Sequence, residues 1–441
     1  MYPSHVFQRR LDKKLPLAVR AEGVWITDES GNRYLDASGG PICVNIGHGR
    51  KRVARAMAEQ AETLAYVHGT MFTSEPVERL AERLSFHAGR ELDRFYFLSS
   101  GSEAVEASIK LARQIQTAGG NPQRYRILSR WNSYHGATLG ALSVTGKPSM
   151  RAPFLPMLSP AVRHIPPPYC YRCTYDLVPQ NCGMRCAHAL EEAILLEGKE
   201  SIAAFLAETI GGATIGAIVP PADYYPVVES ICRKYGILLI LDEVMSGMGR
   251  TGKWFGFHHY DVHPDIITLG KGLNGGYAPL SAVGCKTRAL EVLLDHAGNF
   301  VHGHTFSHHA VAAAAALSVL QIMEEEELVE RADRMGNVFG SKLQRLMDHP
   351  HVGDIRGIGM MRAVEFVQDK KTKAPFPREA KVTERLFENL MQHGMISYKC
   401  IGFAGGRGDA IMLSPPYIVT ESELDWIVDT LEKAVHASIP A

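Results

Sequence analysis

IITLGKGLNGG, residues 266–276, is an apolar, β-branched run that stops at Gly270 and is followed by Lys271, Gly272, Gly275 and Gly276. Apolar almost throughout, the run reads as a strand buried on both faces, the kind that fills a parallel sheet. A lysine at the end of such a strand, with glycine on both sides, has a backbone free to turn and space cleared around its side chain. Alone, Lys271 would more simply be a solvated lysine beyond a strand, so its neighbours along the chain decide the reading.

Working outward, similar short runs recur: RFYFLSS (94–100), RYRILSR (124–130), IAAFLAE (202–208), ILLILDEV (237–244) and LSAVGC (280–285). Between them lie amphipathic segments with helical spacing, SEAVEASIKLARQIQ, HALEEAILLEG and YPVVESICRKYG. Strand–helix alternation of this kind predicts an α/β domain with a largely parallel sheet. The ends of the chain differ. Residues 19–36, VRAEGVWITDESGNRYLD, read as a hairpin turning at DESGN. From about residue 326, long amphipathic helices surround short strands such as MMRAVEFV, which predicts a smaller α+β lobe. The expected division is an N-terminal arm with part of the small domain over 1–64, a large domain over 65–325, and the C-terminal small domain over 326–441.

The 441 residues are 46% apolar and 21% charged with zero formal net charge, which gives no basis for nucleic acid or an anionic membrane as partner. No apolar run reaches the length of a transmembrane helix, and the opening MYPSHVFQRRLDKKLPLAVR lacks the apolar core of a secretory signal. A cytoplasmic protein is expected. Four of the eight cysteines cluster in CYRCTYDLVPQNCGMRC as Cys170, Cys173, Cys182 and Cys186. Four thiolates can close a tetrahedral zinc site. Reduced thiols in a proline-flanked loop are the favoured reading, and no metal is predicted.

Ser100, Glu208, Asp242 and Lys271 stand at or just past strand C-terminal ends, the edge where open α/β sheets bind ligands. Ser100, Gly101 and Ser102 open an amphipathic helix, where free N–H groups and the helix dipole suit a phosphate; a plain N-cap accounts for the same residues. Asp242 follows five apolar residues, and a buried carboxylate requires a cation or strong donors. A protonated pyridine nitrogen would meet that requirement, with Val244 on the same side to pack beneath a ring. Lys271 in an apolar crevice would have a depressed pKa and be nucleophilic toward carbonyls. Tyr134, just after RYRILSR, could stack on the ring. A carbonyl-reactive lysine, a carboxylate for a pyridinium and a phosphate cradle together describe pyridoxal phosphate.

SGSEAVEASIKLAR, YHGATLG, LLILDEVMSGMGRTGKWFGF, PDIITLGKGLNGGYAPLSAV, HGHTFSHHAVAAAAAL and LSPPYIVT occur in order over residues 20–435. In these pieces the chain resembles the class III (subgroup II) pyridoxal-phosphate-dependent aminotransferases, nearest the amine:pyruvate and ω-amino acid transaminases. The resemblance implies the transferase fold type I, with a mainly parallel seven-stranded sheet in the large domain. It implies that Lys271 holds the cofactor covalently and later carries the proton, and that Asp242 pairs with the pyridine nitrogen. Gly101 and Ser102 would bind the phosphate, Tyr134 would stack on the ring with His135 beside it, and Glu208 would stand near the cofactor. Thr305 would reach the phosphate of the neighbouring subunit, in a homodimer with shared active sites that could pair further into a tetramer.

Two departures bear on substrate. ETIGGATIGA carries Gly211 where many relatives have glutamine, and IMLSPP puts Met412 where carboxylate-binding relatives have arginine. Arg407 is the nearby basic candidate for a substrate carboxylate. Pro41, Ile42, Tyr66, Phe72 and Trp131 are candidate pocket residues, each with simple packing as the alternative. The expected activity is transfer of an amino group from a primary amine or ω-amino acid to a 2-oxo acid such as pyruvate. An ammonia-lyase or phospho-lyase acting on a β-substituted amine is the alternative; no extra basic cluster for a second phosphate is apparent.

Overall fold

The computed structural model describes residues 5–296 and 298–439. Seven strands form one sheet in the order Arg94–Leu98, Ser281–Cys285, Ile266–Leu269, Leu238–Asp242, Ile202–Glu208, Arg126–Arg130 and Val162–Ile165. Every pairing is parallel except the two made by Ser281–Cys285, which runs antiparallel to both neighbours. Successive residues face opposite layers, as a pleat requires. Phe205, Leu239 and Leu241 pack with Leu190, Tyr224 and Val228 from helices on one face. Leu206 and Ile240 pack with Val105 and Leu111 of the helix Gly101–Ala118 on the other.

The strands expected from sequence are all present. Val162–Ile165 is an additional one, at the sheet edge, and carries an exposed arginine. The expected N-terminal hairpin is a three-stranded meander, Ala18–Glu22, Trp25–Asp28 and Arg33–Asp36, because Gly23 takes a left-handed φ of +61° and reverses the chain once before DESGN does so again. Its last strand pairs in parallel with Met395–Ile396. A four-stranded antiparallel sheet, Val352–Ile358, Met361–Phe366, Arg407–Leu413 and Tyr398–Ala404, completes the C-terminal part. The helices Leu328–Leu343 and Glu421–Ser438 contribute buried faces to its core.

Arg250 clasps the distant parts of the chain together. Its fully buried guanidinium donates to the carbonyls of Ser414 (3.0 Å), Pro415 (2.8 Å) and Val44 (3.1 Å) and lies over the Tyr417 ring. Segments from both ends of the sequence are thereby held against the loop that follows the strand of Asp242.

Candidate active site

The sheet register places the chemistry. Glu208 lies opposite Asp242 on the neighbouring strand, and Asp242 opposite Thr268 on the next. Strand ends far apart in sequence therefore form one polar row at the C-terminal edge. A cavity of about 150 Å³ opens there, lined by Ser100, Gly101, Ser102, Tyr134, His135, Gly136, Glu208, Asp242, Val244, Met245 and Lys271.

Asp242 is 5% exposed and well supplied with donors. His135 Nδ1 stands 2.7 Å from its Oδ2, while the Val244 N–H (3.0 Å) and Thr268 Oγ1 (3.1 Å) donate to Oδ1. A carboxylate offers about four acceptor positions, so these three leave capacity for one more donor. Buried His135 Nε2 has no partner among the described residues, an orphaned polar atom at the same wall.

The adjacent Glu243 plays a different part. It accepts from Thr209 Oγ1 (2.6 Å), Ser246 Oγ (2.8 Å) and the N–H groups of Gly256 and Phe257 (both 2.8 Å). The residue pair DE thus divides into one carboxylate facing the cavity and one knitting the following loop. Glu243→Ala is expected to lose about 3 kcal/mol or more of stability, since four buried donors would be left unpaired. Denaturant unfolding measures it, and a loss below about 1 kcal/mol would contradict this role.

Lys271 itself adopts the left-handed conformation, φ +44°, whereas Gly270 before it is extended. The flanking glycines therefore serve close approach rather than the turn. A Cβ on Gly270 would sit 3.3 Å from Val244 Cγ1, and one on Gly272 would sit 3.1 Å from Met248 Cβ and 3.2 Å from Asn45 Nδ2. Asn45 Nδ2 donates to the Gly272 carbonyl at 2.8 Å and so fixes the bend. A left-handed non-glycine residue costs about 1 kcal/mol, and such strain gathers at functional positions. Burial pushes the Lys271 amine below the ordinary lysine value, against the opposing pull of Cys43, Asp242 and Glu208. A lowered pKa enlarges the neutral, nucleophilic fraction at a given pH. Loading of apoprotein with pyridoxal phosphate, followed by its visible band, is therefore expected to reach half-rate at a pH below that of a surface lysine. A midpoint at or above the ordinary value would contradict it.

The expected phosphate-binding residues adjoin an N-cap. Ser100 forms a capping box with Glu103, accepting from the Glu103 N–H at 3.4 Å while Glu103 Oε2 accepts from the Ser100 N–H at 2.9 Å. Its hydroxyl is thus committed to the helix. The adjoining Gly101 and Ser102 line the cavity at the positive end of an 18-residue helix. Only glycine fits at two points of this wall. A Cβ on Gly101 would meet Val244 Cγ1 at 2.9 Å, and one on Gly136, φ +144°, would meet Ser102 Oγ at 2.5 Å. Glu208 Oε2 accepts from the Tyr134 N–H (3.3 Å) and Oε1 from the Gly212 N–H (3.1 Å). Burial raises the Glu208 carboxyl and the Tyr134 phenol above their usual values. A helix start lining the cavity, a pre-bent amine, a carboxylate with one acceptor position left and a tyrosine in the lining fit pyridoxal phosphate.

Other expected residues stand apart. Thr305, Pro41, Tyr66, Trp131 and Arg407 are not among those lining the cavity. Thr305 is exposed and its carbonyl accepts from Tyr66 OH at 2.8 Å. Trp131 stacks on His164 at 4.4 Å. Arg407 opens the strand Arg407–Leu413 at an exposed hairpin tip. Met412 is fully buried in an apolar cluster with Ile42 and Met245, so arginine is replaced there by packing. Gly211 is confined too, because a Cβ would stand 3.2 Å from both Ile215 and Ile218. Cys170, Cys173, Cys182 and Cys186 are unpaired and line one small cleft. Among the described residues no three His, Cys, Asp or Glu side chains are arranged to hold a metal ion.

Sequence reasoning missed Thr268, Asn45, Gly136 and Met245. Thr268 is indistinguishable from a strand-forming residue, but Asn45 within ICVNIG was a visible polar residue in an apolar run.

Residues 6–435 match the family described as Aminotransferase class-III. A thermostable (S)-enantioselective ω-transaminase from Thermomicrobium roseum superposes with a TM-score of 0.93 at 40% identity, over 99% of this chain and 96% of that one. An amine transaminase from an uncultivated Pseudomonas species, solved in the pyridoxal-phosphate-bound form, gives 0.91 at 37% identity, covering 99% and 98%. A putrescine–pyruvate aminotransferase from Pseudomonas aeruginosa is 36% identical over 98% of this chain and 92% of its own.

Proposed function

The chain belongs to the class III aminotransferases, pyridoxal-phosphate enzymes of α/β fold, and from that premise we propose that it moves an amino group from a primary amine or ω-amino acid to a 2-oxo acid such as pyruvate. The observation that carries this reading is the meeting of Lys271 and Asp242 at one cavity. Relatives described as putrescine–pyruvate and (S)-enantioselective ω-transaminases support an amine donor.

Bound there, pyridoxal phosphate supplies the electron sink that acidifies the proton on the amine-bearing carbon. The chain's residues do the rest. The N-terminal end of Gly101–Ala118, with the Ser102 hydroxyl, offers donors to the phosphate. Asp242, oriented by His135, Thr268 and the Val244 N–H, would accept from a protonated ring nitrogen and hold that proton in place. Val244 packs against Gly101 and Gly270 and forms a wall that leaves no room for a side chain at Gly101 and little at Gly270. Lys271 Nζ, lowered by burial, takes the substrate proton and returns it. Tyr134 and Met245 line the same cavity.

We place the enzyme in the cytoplasm as a homodimer, whose dimers could pair into tetramers. Tyr66, Met71, Phe72 and Phe306 are exposed, and Tyr66 and Phe306 stack edge-on at 6.1 Å, an apolar surface suited to a second copy. In that arrangement the segment carrying Thr305 would serve the partner's phosphate site. Among the described residues no helix is long and apolar enough to cross a membrane.

The test is the visible spectrum of the holoenzyme. Adding 1-phenylethylamine is expected to bleach the band, and pyruvate to restore it. Ammonia released from a β-substituted amine without bleaching would favour a lyase instead. No band at all with added pyridoxal phosphate would sink the reading.

A further inference from the structure

Cys170, Cys173, Cys182 and Cys186 take no part in the chemistry described above, yet all four line one cleft, together with Pro167 and Pro179. The free space there is about 20 Å³. That is room for one water and for no organic ligand, which leaves the sulfurs themselves as one another's partners. Among the described residues no three side chains are arranged for a metal ion, which needs several donors at fixed angles. A disulfide needs only two sulfurs brought together.

The two pairs stand on arms anchored to different parts of the fold. Cys170 opens the short turn Cys170–Arg172, and Cys173 follows it. That arm clasps the C-terminal sheet. Tyr169 OH and Arg172 Nε (2.6 Å) donate to the fully buried Glu365, and Lys373 Nζ donates to the Tyr171 carbonyl at 2.8 Å. Cys182 closes the turn Pro179–Asn181, and Cys186 lies in the first turn of the helix Arg185–Glu197. This second arm packs through Met184 and Cys186 on the core that includes Phe205 and Leu239 of the large sheet. The turn Pro179–Asn181 is the one element between the arms, so the small shifts that close a sulfur–sulfur bond meet little resistance. Cys170 is exposed and the other three are half-buried, so a soluble oxidant reaches the cleft.

Four thiols allow three pairings. Because all four meet at one cleft, the chain between the arms folds back, and the outer and inner cysteines face their counterparts. Burial pushes the Cys186 thiol up to about 11, and Cys170 is the first of the thiols acting on it. We propose that these cysteines are an oxidative modification site in which Cys170 joins Cys186 and Cys173 joins Cys182, tying the Glu365 clasp to the helix Arg185–Glu197. The oxidant is a low-molecular-weight disulfide such as oxidised glutathione. The exposed Cys170 thiolate attacks one glutathione sulfur and releases a glutathione thiolate; the Cys186 thiolate then attacks Cys170 Sγ and releases the second. Two protein thiols are oxidised, one glutathione disulfide is reduced to two thiols, and the protons pass from the former to the latter. Cys173 and Cys182 follow the same balance with a second glutathione disulfide. Raised thiols hold few thiolates at neutral pH, so the site responds slowly and rests reduced in a reducing compartment. None of this depends on the aminotransferase reading.

Reduced holoenzyme is incubated with oxidised glutathione at mildly alkaline pH, free thiols are alkylated in denaturant, and the chain is cut with trypsin without reduction. Cleavage after Arg163, Arg172, Arg185 and Lys199 puts Cys170 and Cys186 on separate peptides, and Cys173 with Cys182 on a third. The expected products are peptide 164–172 joined to 186–199, and peptide 173–185 unalkylated and lighter by two hydrogens. Dithiothreitol should reverse both. Cys170→Ser should lose the joined peptides and keep the lighter one. The oxidised protein should unfold about 3 °C higher, the effect of closing a loop of about 15 residues in a chain of this size. Four alkylated cysteines, lasting glutathione adducts, or a link from 173–185 to either other peptide would overturn the proposal. So would bonds that leave the unfolding midpoint unmoved. Zinc retained by the purified protein at about one equivalent per chain would overturn it too, by giving the cluster to a metal.

Discussion

Replacing Lys271 with alanine is expected to cut transamination by about 10⁴-fold, the upper range for removal of a positioned acid–base group. The backbone argument isolates the effect. Alanine at φ +44° carries about the same left-handed strain as lysine, and the bonds that set the bend, such as Asn45 Nδ2 to the Gly272 carbonyl, involve no atom of the lysine side chain. The fold and the phosphate cradle should therefore survive, and the variant should still bind pyridoxal phosphate, with a shifted spectrum. Added methylamine should recover a small part of the rate by carrying the proton. A variant within tenfold of wild type would remove Lys271 from the chemistry.

Asp242→Asn should lower the rate of the amine half-reaction about 10²–10³-fold, the range seen when one preorganised electrostatic partner is lost. The carboxamide can keep the acceptor contacts to the Val244 N–H and Thr268, so packing should be largely preserved. It cannot stabilise a positive charge on a ring nitrogen, and so the ring would lose its proton. Substrate affinity should change far less than the rate, because the loss falls on the transition state. Stopped-flow bleaching with 1-phenylethylamine measures both. Equal rates for Asn and Asp would mean that the carboxylate is structural.

The strands and the site differ in how far each could be read from sequence, for physical reasons. Strands buried on both faces announce themselves as apolar runs, and ILLILDEV and IITLGKG therefore carried both the sheet and two of the residues that meet at the cavity. Val162–Ile165 has no such signal: it is an edge strand of four residues between Pro160 and Pro166, only one of them buried. Asp242 and Lys271 were legible because ionisable residues stood beside deep burial. Thr268 was not, since a threonine inside a strand is ordinary, and only the register shows that it faces Asp242. The reading of the glycines beside Lys271 was half right: they were needed, but for proximity to Val244 and Met248 rather than for the turn.

Arg94–Leu98 pairs with no strand of its sheet except Ser281–Cys285. During synthesis the first strand to be made must wait nearly two hundred residues for its partner, while its edge and the edge of Ile266–Leu269 both stay open. Long-range pairing of this kind is slow to form and exposes strand edges to other chains. The helix that begins at Gly101 starts from that waiting strand, so its N-terminal end, which lines the cavity, cannot be set until the sheet closes. Holoenzyme assembly in the cell is thus tied to a late step of chain folding, and nascent chains that stall before residue 281 are the species a chaperone would have to shield.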